Sequence, residues 1–118
     1  MTPEKIIRAE MAAWGRNDAD EVVSHFAEDA VYNIGPSYPA LSGRDAIRQV
    51  IDAYFSRGTC VDLEILYLAV DRDVVLMERD DHWIVNGKKM DTRVMGAYEV
   101  KDQKITAWRE YFTPPSDA

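Results

Sequence analysis

Arg79 and Asp81 stand two apart in Val74-Val75-Leu76-Met77-Glu78-Arg79-Asp80-Asp81-His82-Trp83, a segment that reads as extended. Side chains at that spacing share a face of a strand. The same face carries Val75, Met77 and Trp83, so a guanidinium and a carboxylate lie side by side among apolar residues. Near the C-terminus the pattern recurs, with Glu110 between Trp108 and Phe112 on one face of Ile105-Thr106-Ala107-Trp108-Arg109-Glu110-Tyr111-Phe112. If both faces line one cavity, two carboxyls share one guanidinium in a medium of low dielectric. Such groups titrate as a coupled set, and a single shared proton makes one carboxyl an acid and the other a base. Hydrolysis of a strained ether needs that division of labour. A purely structural ion pair between strands would use the same residue types, and it stays open as an alternative.

Other reactive residues give weaker signals. Tyr32 and Asn33 close a short strand before a Pro-rich loop, where a phenol and an amide could orient a water. The plainer reading is a core tyrosine beside a turn asparagine. His25 and His82 read as surface residues, and a His/Asp metal site would need a third ligand that the spacing does not supply. Cys60 has no evident base beside it. The chain contains no Gly-rich phosphate loop, cysteine pair or nucleophile elbow, so neither a cofactor nor a metal is expected.

Bulk composition narrows the class. A length of 118 residues suits one domain, read here as residues 1–113 with a loose tail at residues 114–118. The formal net charge of -7, with basic residues scattered, argues against nucleic acid or an anionic membrane as partner. One cysteine excludes an intramolecular disulfide and fits a reducing compartment. Met1-Thr2-Pro3-Glu4-Lys5 reads as a helix start and not as a signal peptide, and no apolar run reaches membrane-spanning length. The expectation is a cytoplasmic protein.

The elements that must position these residues follow from periodicity. Ile7, Met11 and Trp14 form one stripe of a helix that starts at Thr2 and Pro3 and stops at Gly15. Asn17 or Asp18 caps a short second helix with Val22, Val23 and Phe26 inward. A strand spans Ala30 to Asn33, and Gly35-Pro36-Ser37-Tyr38-Pro39 is loop. Ser42-Gly43-Arg44-Asp45 resembles a capping box opening a third helix with Ile47, Val50, Ile51 and Tyr54. From Val61 the period becomes two, predicting strands over Val61–Val70, Val74–Val85, Lys88–Val100 and Lys104–Phe112. Asn86-Gly87 is the strongest hairpin signal. Helices first and an antiparallel meander after predict an α+β fold, a curved sheet wrapped around helices.

Three stretches carry a specific resemblance: Glu78-Arg79-Asp80-Asp81, Gly96-Ala97-Tyr98-Glu99-Val100, and Lys104 to Phe112. Together they resemble the limonene-1,2-epoxide hydrolase family of the nuclear-transport-factor-2-like (NTF2-like, SnoaL-like) superfamily. Phe26 to Tyr32 and Gly43 to Ile47 fit the superfamily more broadly. The resemblance implies a cone-shaped fold with helices packed in a mostly antiparallel sheet, usually as a homodimer. It implies one-step, cofactor-free addition of water to a small apolar epoxide. Arg79 matches the bridging arginine, Asp81 the acid that protonates the epoxide oxygen, and Tyr32 the water-binding tyrosine. Glu110 stands where the family has an aspartate base. The family's asparagine follows its tyrosine by two positions, where this chain has Ile34, so Asn33 would need a bulge to join the site. Met77, Trp83, Val94, Trp108 and Phe112 are the expected apolar lining. A ketosteroid-isomerase-like or polyketide-cyclase-like enzyme, and a non-catalytic binding or dimerisation module, are the alternatives.

Overall fold

The Thr2 hydroxyl accepts the Lys5 N–H at 3.2 Å and Pro3 supplies a preset φ, so helix α1 (Pro3–Gly15) starts where the residues predict. The computed structural model describes residues 1–113, and the tail expected over residues 114–118 lies outside them. Asp18 caps helix α2 (Ala19–Ser24) by accepting from Glu21 N. Asn17 does something else: at φ 58° it turns its amide onto Cys60, bonding both the backbone N and O at 2.8 Å. That double bond ties the helix pair to the sheet.

Strand β1 (Phe26–Asn33) begins earlier than expected, with Phe26 as its first residue and not part of α2. Strand β2 (Leu41–Ser42), absent from the periodicity reading, pairs with it. Ser42 is engaged opposite Val31 in that ladder, and the N-cap of helix α3 (Arg44–Arg57) is Gly43 at φ 92°, with no side-chain cap bond. The predicted capping box is therefore not formed. Arg44 instead reaches back to the Phe26 carbonyl, at 2.5 Å from Nη2.

The four period-two stretches become β3 (Gly58–Asp71), β4 (Val74–Val85), β5 (Lys88–Lys101) and β6 (Lys104–Phe112). Asn86 and Gly87 both take positive φ, 53° and 77°. That is the geometry whose twist matches the flanking strands, and it fixes the β4–β5 register. The sheet order is β2-β1-β6-β5-β4-β3, antiparallel except for β1 beside β6. Two register shifts in β3, between Cys60 and Asp62 and between Ile65 and Tyr67, add to the bend of the sheet. Its inner face, with Val75, Met77, Tyr98 and Trp108, closes on Ile6, Ile7 and Trp14 of α1 and on Ile47 and Ile51 of α3. Each such burial stabilises the fold by about 1.5–3 kcal/mol. Among the described residues, no helix is long and apolar enough to cross a membrane.

One core residue breaks the pattern. Glu10 is fully buried on α1, and neither carboxyl oxygen has a hydrogen-bond partner. Burial holds its pKa well above the ordinary 4.5; the nearby Trp14 indole, short of bonding geometry, offsets part of this, and the charge of Glu21 adds to it. The fold thus keeps a proton that the unfolded chain releases, so this contribution to stability is full below pH 4.5 and declines as pH rises. Glu10→Gln is expected to gain stability relative to wild type between pH 4 and pH 8, read from urea midpoints; a pH-independent difference would contradict the buried, protonated carboxyl.

Candidate active site

Strand parity puts Val75, Met77, Arg79, Asp81 and Trp83 of β4 on the concave face, as expected, and Arg79 is only 2% exposed. Glu110 is two strands away, because β5 lies between β4 and β6. Along β5, Val94 stands opposite Arg79, and Gly96 stands between Met77 and Glu110. The guanidinium therefore has to cross β5 on a diagonal, and it does so where β5 has no side chain.

Once there it is held on every edge. Nε donates to Asp81 Oδ1 at 2.6 Å, and Nη2 donates to Asp81 Oδ2 at 3.2 Å and to Glu110 Oε1 at 2.5 Å. Nη1 donates to the Tyr98 hydroxyl. Trp108 Nε1 gives a second bond to Glu110 Oε1 at 2.6 Å, which leaves Oε2 without a protein donor among the described residues. Burial alone would lower the Arg79 pKa, but the charge of Glu110, then the Tyr98 phenol oxygen and the charge of Asp81, hold it well above its usual value. The arginine is a fixed cation. Trp108 also offers it a ring face, 5.9 Å from centroid to guanidinium carbon.

Tyr32 sits in the same pocket, stacked on Trp108 at 5.2 Å with the rings 6° from parallel. Burial raises its pKa, and the charge of Glu110 raises it further, so the phenol stays neutral and can donate. The pocket has a volume of about 330 Å³, and its mainly apolar lining carries Arg79, Asp81, Glu110 and Tyr32 together with Tyr54, Thr92 and Arg57. Trp83, Val94, Trp108 and Phe112 line it as expected. Met77 does not: it is fully buried beneath the surface of the pocket, packed in the core. Asn33 is not brought in either. It stands opposite Arg109 with no bulge beside it, so it faces away from Tyr32, and Ile34 takes the place on the wall.

Two contributors escaped sequence reasoning. Tyr98 reads as one more core aromatic, yet its hydroxyl completes the Arg79 shell. It can do so because Gly96 has no Cβ; a methyl there would collide with the Tyr98 phenol oxygen. The Gly96-Ala97-Tyr98 spacing, which puts both on one face of a strand, was the available signal. Trp108 was placed as lining but not as a donor. On the opposite face, Glu64 supplies the third group missing from a His/Asp cluster with Asp80 and His82. These are already ion-paired, with His82 between Asp91 at 2.7 Å and Glu64 at 3.0 Å, and Asp80 on Arg93. Burial, with the charge of Asp81, pushes the Cys60 thiol up to about 12, which makes it a poor nucleophile.

Tyr98→Phe removes one acceptor and strands a buried N–H, at an expected cost of about 1–3 kcal/mol. Arg79→Met strands two carboxyls, at an expected cost of roughly 3–5 kcal/mol. Urea unfolding at neutral pH should rank them in that order, and equal, sub-kcal effects would mean that the cluster is not held as described.

Residues 1–114 match the model of the limonene-1,2-epoxide hydrolase catalytic domain. The chain is 29% identical over 107 residues to the epoxide hydrolase EphG of Mycobacterium tuberculosis, covering 90% of this chain and 70% of that protein. A solved M. tuberculosis LEH-like epoxide hydrolase superposes with a TM-score of 0.81 at 27% identity, over 92% of this chain and 80% of the other. A Catenulispora acidiphila protein of ketosteroid isomerase-like fold superposes with a TM-score of 0.82 at 20% identity, over 96% and 88% of the two chains. The last similarity concerns the fold alone, which is NTF2-like.

Proposed function

The chain belongs to the limonene-1,2-epoxide hydrolase family, and from that premise we propose that it adds water to a small lipophilic epoxide to give a vicinal diol. The observation that carries this is one buried guanidinium joining Asp81 and Glu110 beside Tyr32 in an apolar pocket. Glu110 Oε2 takes a proton from a water that Tyr32 helps to hold, and the water oxygen attacks a ring carbon. The carbon–oxygen bond of the ring breaks as Asp81 gives its proton to the leaving oxygen. Before the step Asp81 is neutral and Glu110 ionised; after it the roles are exchanged. The trio with Arg79 therefore carries no net charge at either stage, and the low-dielectric site never has to accommodate a new charge. Arg79 holds both carboxyls in place throughout, and after the diol leaves, Glu110 gives its proton to water while Asp81 takes one from water, which restores the starting arrangement. No covalent ester forms.

Tyr32 and Glu110 then hold the water without an asparagine, since Asn33 faces away. An isomerase of this fold would need an acid at the end of β1, where the hydrophobic Ile34 lines the pocket instead. A filled pocket would favour a mere binding or dimerisation module, but this one has room for a ligand. A homodimer belongs to the same reading. Tyr67 (75% exposed), Leu76 (36%), Met95 (45%) and Tyr111 (51%) all leave the convex face of the sheet and would be covered by a second copy. Sedimentation should give twice the chain mass, and Met95→Asp should halve it; a wild-type monomer removes the dimer from the proposal.

The decisive experiment follows diol formation from cyclic and terpenoid epoxides in ¹⁸O-water. Glu110→Gln and Asp81→Asn should each lower kcat by roughly 10²–10⁴-fold while the protein stays folded. The label should enter the diol in a single turnover. Substantial turnover by either variant, or label appearing first in the protein, would overturn the assigned roles.

A further inference from the structure

Arg57 lines the pocket although it is solvent-exposed, at the end of α3 farthest along the chain from the Pro-rich loop. Its Nε donates to the Ala53 carbonyl at 3.3 Å, the ordinary bond of a cation in the last turn of a helix. The terminal nitrogens have no acceptor among the described residues. A second cation stands close in the ladder. Val85 and Gly58 face each other and both line the pocket, and Lys88 stands directly opposite Val85 on the next strand. Opposed residues put their side chains on the same side of a sheet, so Lys88 leaves β5 on the pocket side.

In a chain of net charge -7, carboxylates could be expected to neutralise both. Among the described residues none pairs with either: Asp52 is held by Arg48, while Glu64 and Asp91 hold His82 on the convex face. The pocket thus carries Arg79 and its two carboxyls, aromatic and aliphatic walls, and Arg57 on its lining, with Lys88 one ladder position beyond Val85. Tyr54 lines it as well and feels both Glu110 and Arg57. Burial raises its pKa, the charge of Glu110 adds to that, and the charge of Arg57 opposes it.

We propose that Arg57 and Lys88 form an anion-binding rim, and that the preferred substrate is a lipophilic epoxide with a carboxylate at the end remote from the ring. The epoxide part of this proposal rests on the hydrolase reading; the rim does not. An acid of this kind spans the pocket, with its ring on the carboxyl pair, its chain along the walls and its carboxylate between the two cations. A neutral epoxide of the same length leaves the rim unused.

The test compares a terminally epoxidised undecanoic acid with its methyl ester. Wild type should favour the acid in kcat/KM by roughly tenfold, about the contribution of one charge-assisted hydrogen bond. The advantage should reside in KM, shrink with added salt and vanish in Arg57→Gln/Lys88→Gln. An acid-to-ester ratio near one, or a ratio untouched by the double substitution, overturns the rim. If neither compound gives diol, the hydrolase reading is decided by the cyclic and terpenoid epoxides, and the rim is judged separately by tryptophan quenching with undecanoic acid and methyl undecanoate, since Trp14, Trp83 and Trp108 line the pocket. Tighter binding of the acid, lost in the double variant, supports it; equal binding of acid and ester overturns it.

Discussion

A guanidinium 2% exposed at the bottom of an apolar cone cannot be neutralised by losing its proton, so the fold has to answer its charge with partners. Arg79 gets two carboxyls, a phenol and an aromatic face. Each partner makes its own demand on the chain. Asp81 comes free of further architecture, because period-two alternation places it beside Arg79. Glu110 requires β6 to lie two strands away in a set register, and Asn86-Gly87 fixes half of that register. Tyr98 requires a strand position with no Cβ two residues before it. Removing the charge would relax all of these demands, which is why the arginine and not either carboxyl organises the site.

The glutamate at position 110 acquires a structural meaning in that setting. A carboxyl one methylene longer than an aspartate has more rotamers to lose on ordering. Here both available donors, Trp108 Nε1 and Arg79 Nη2, converge on the same oxygen. One oxygen is pinned, and the other swings only within the arc that the pinned one permits. The second donor comes from the same strand face, two residues before the carboxyl, so the sequence of β6 itself supplies part of the restraint on its longer acid.

Much of this was legible from residue spacing. The inward parity of Arg79 and Asp81, the β4 and β6 boundaries and the α1 cap all follow from local rules that act within a few residues. Failures occurred where a second element decides. Ser42 looked like a cap, but its pairing with Val31 spends that residue in a ladder. Glu10 sits one turn before Trp14, and only tertiary packing buries it. Met77 shares a face with Arg79 yet lies under the core and not on the wall, since a strand face extends past the end of any cavity it borders. Asn33 could join the site only through a bulge, and the β1–β6 register shifts between Phe26 and Val31, too early to turn it.

Glu10 and Arg79 together show why buried charge in this protein is not one phenomenon. Both are ionisable groups withdrawn from water, and both lose solvation of comparable kind. The carboxyl can escape by keeping a proton, and with neither oxygen bonded the nearby Trp14 indole offsets only part of that escape. The guanidinium cannot, so it recruits opposite charge until its partners outweigh the cost of burial. A group that neutralises itself organises nothing around it. A group that must be neutralised by others draws acids, donors and strand register into one place, and that assembly has the composition that acid/base chemistry requires.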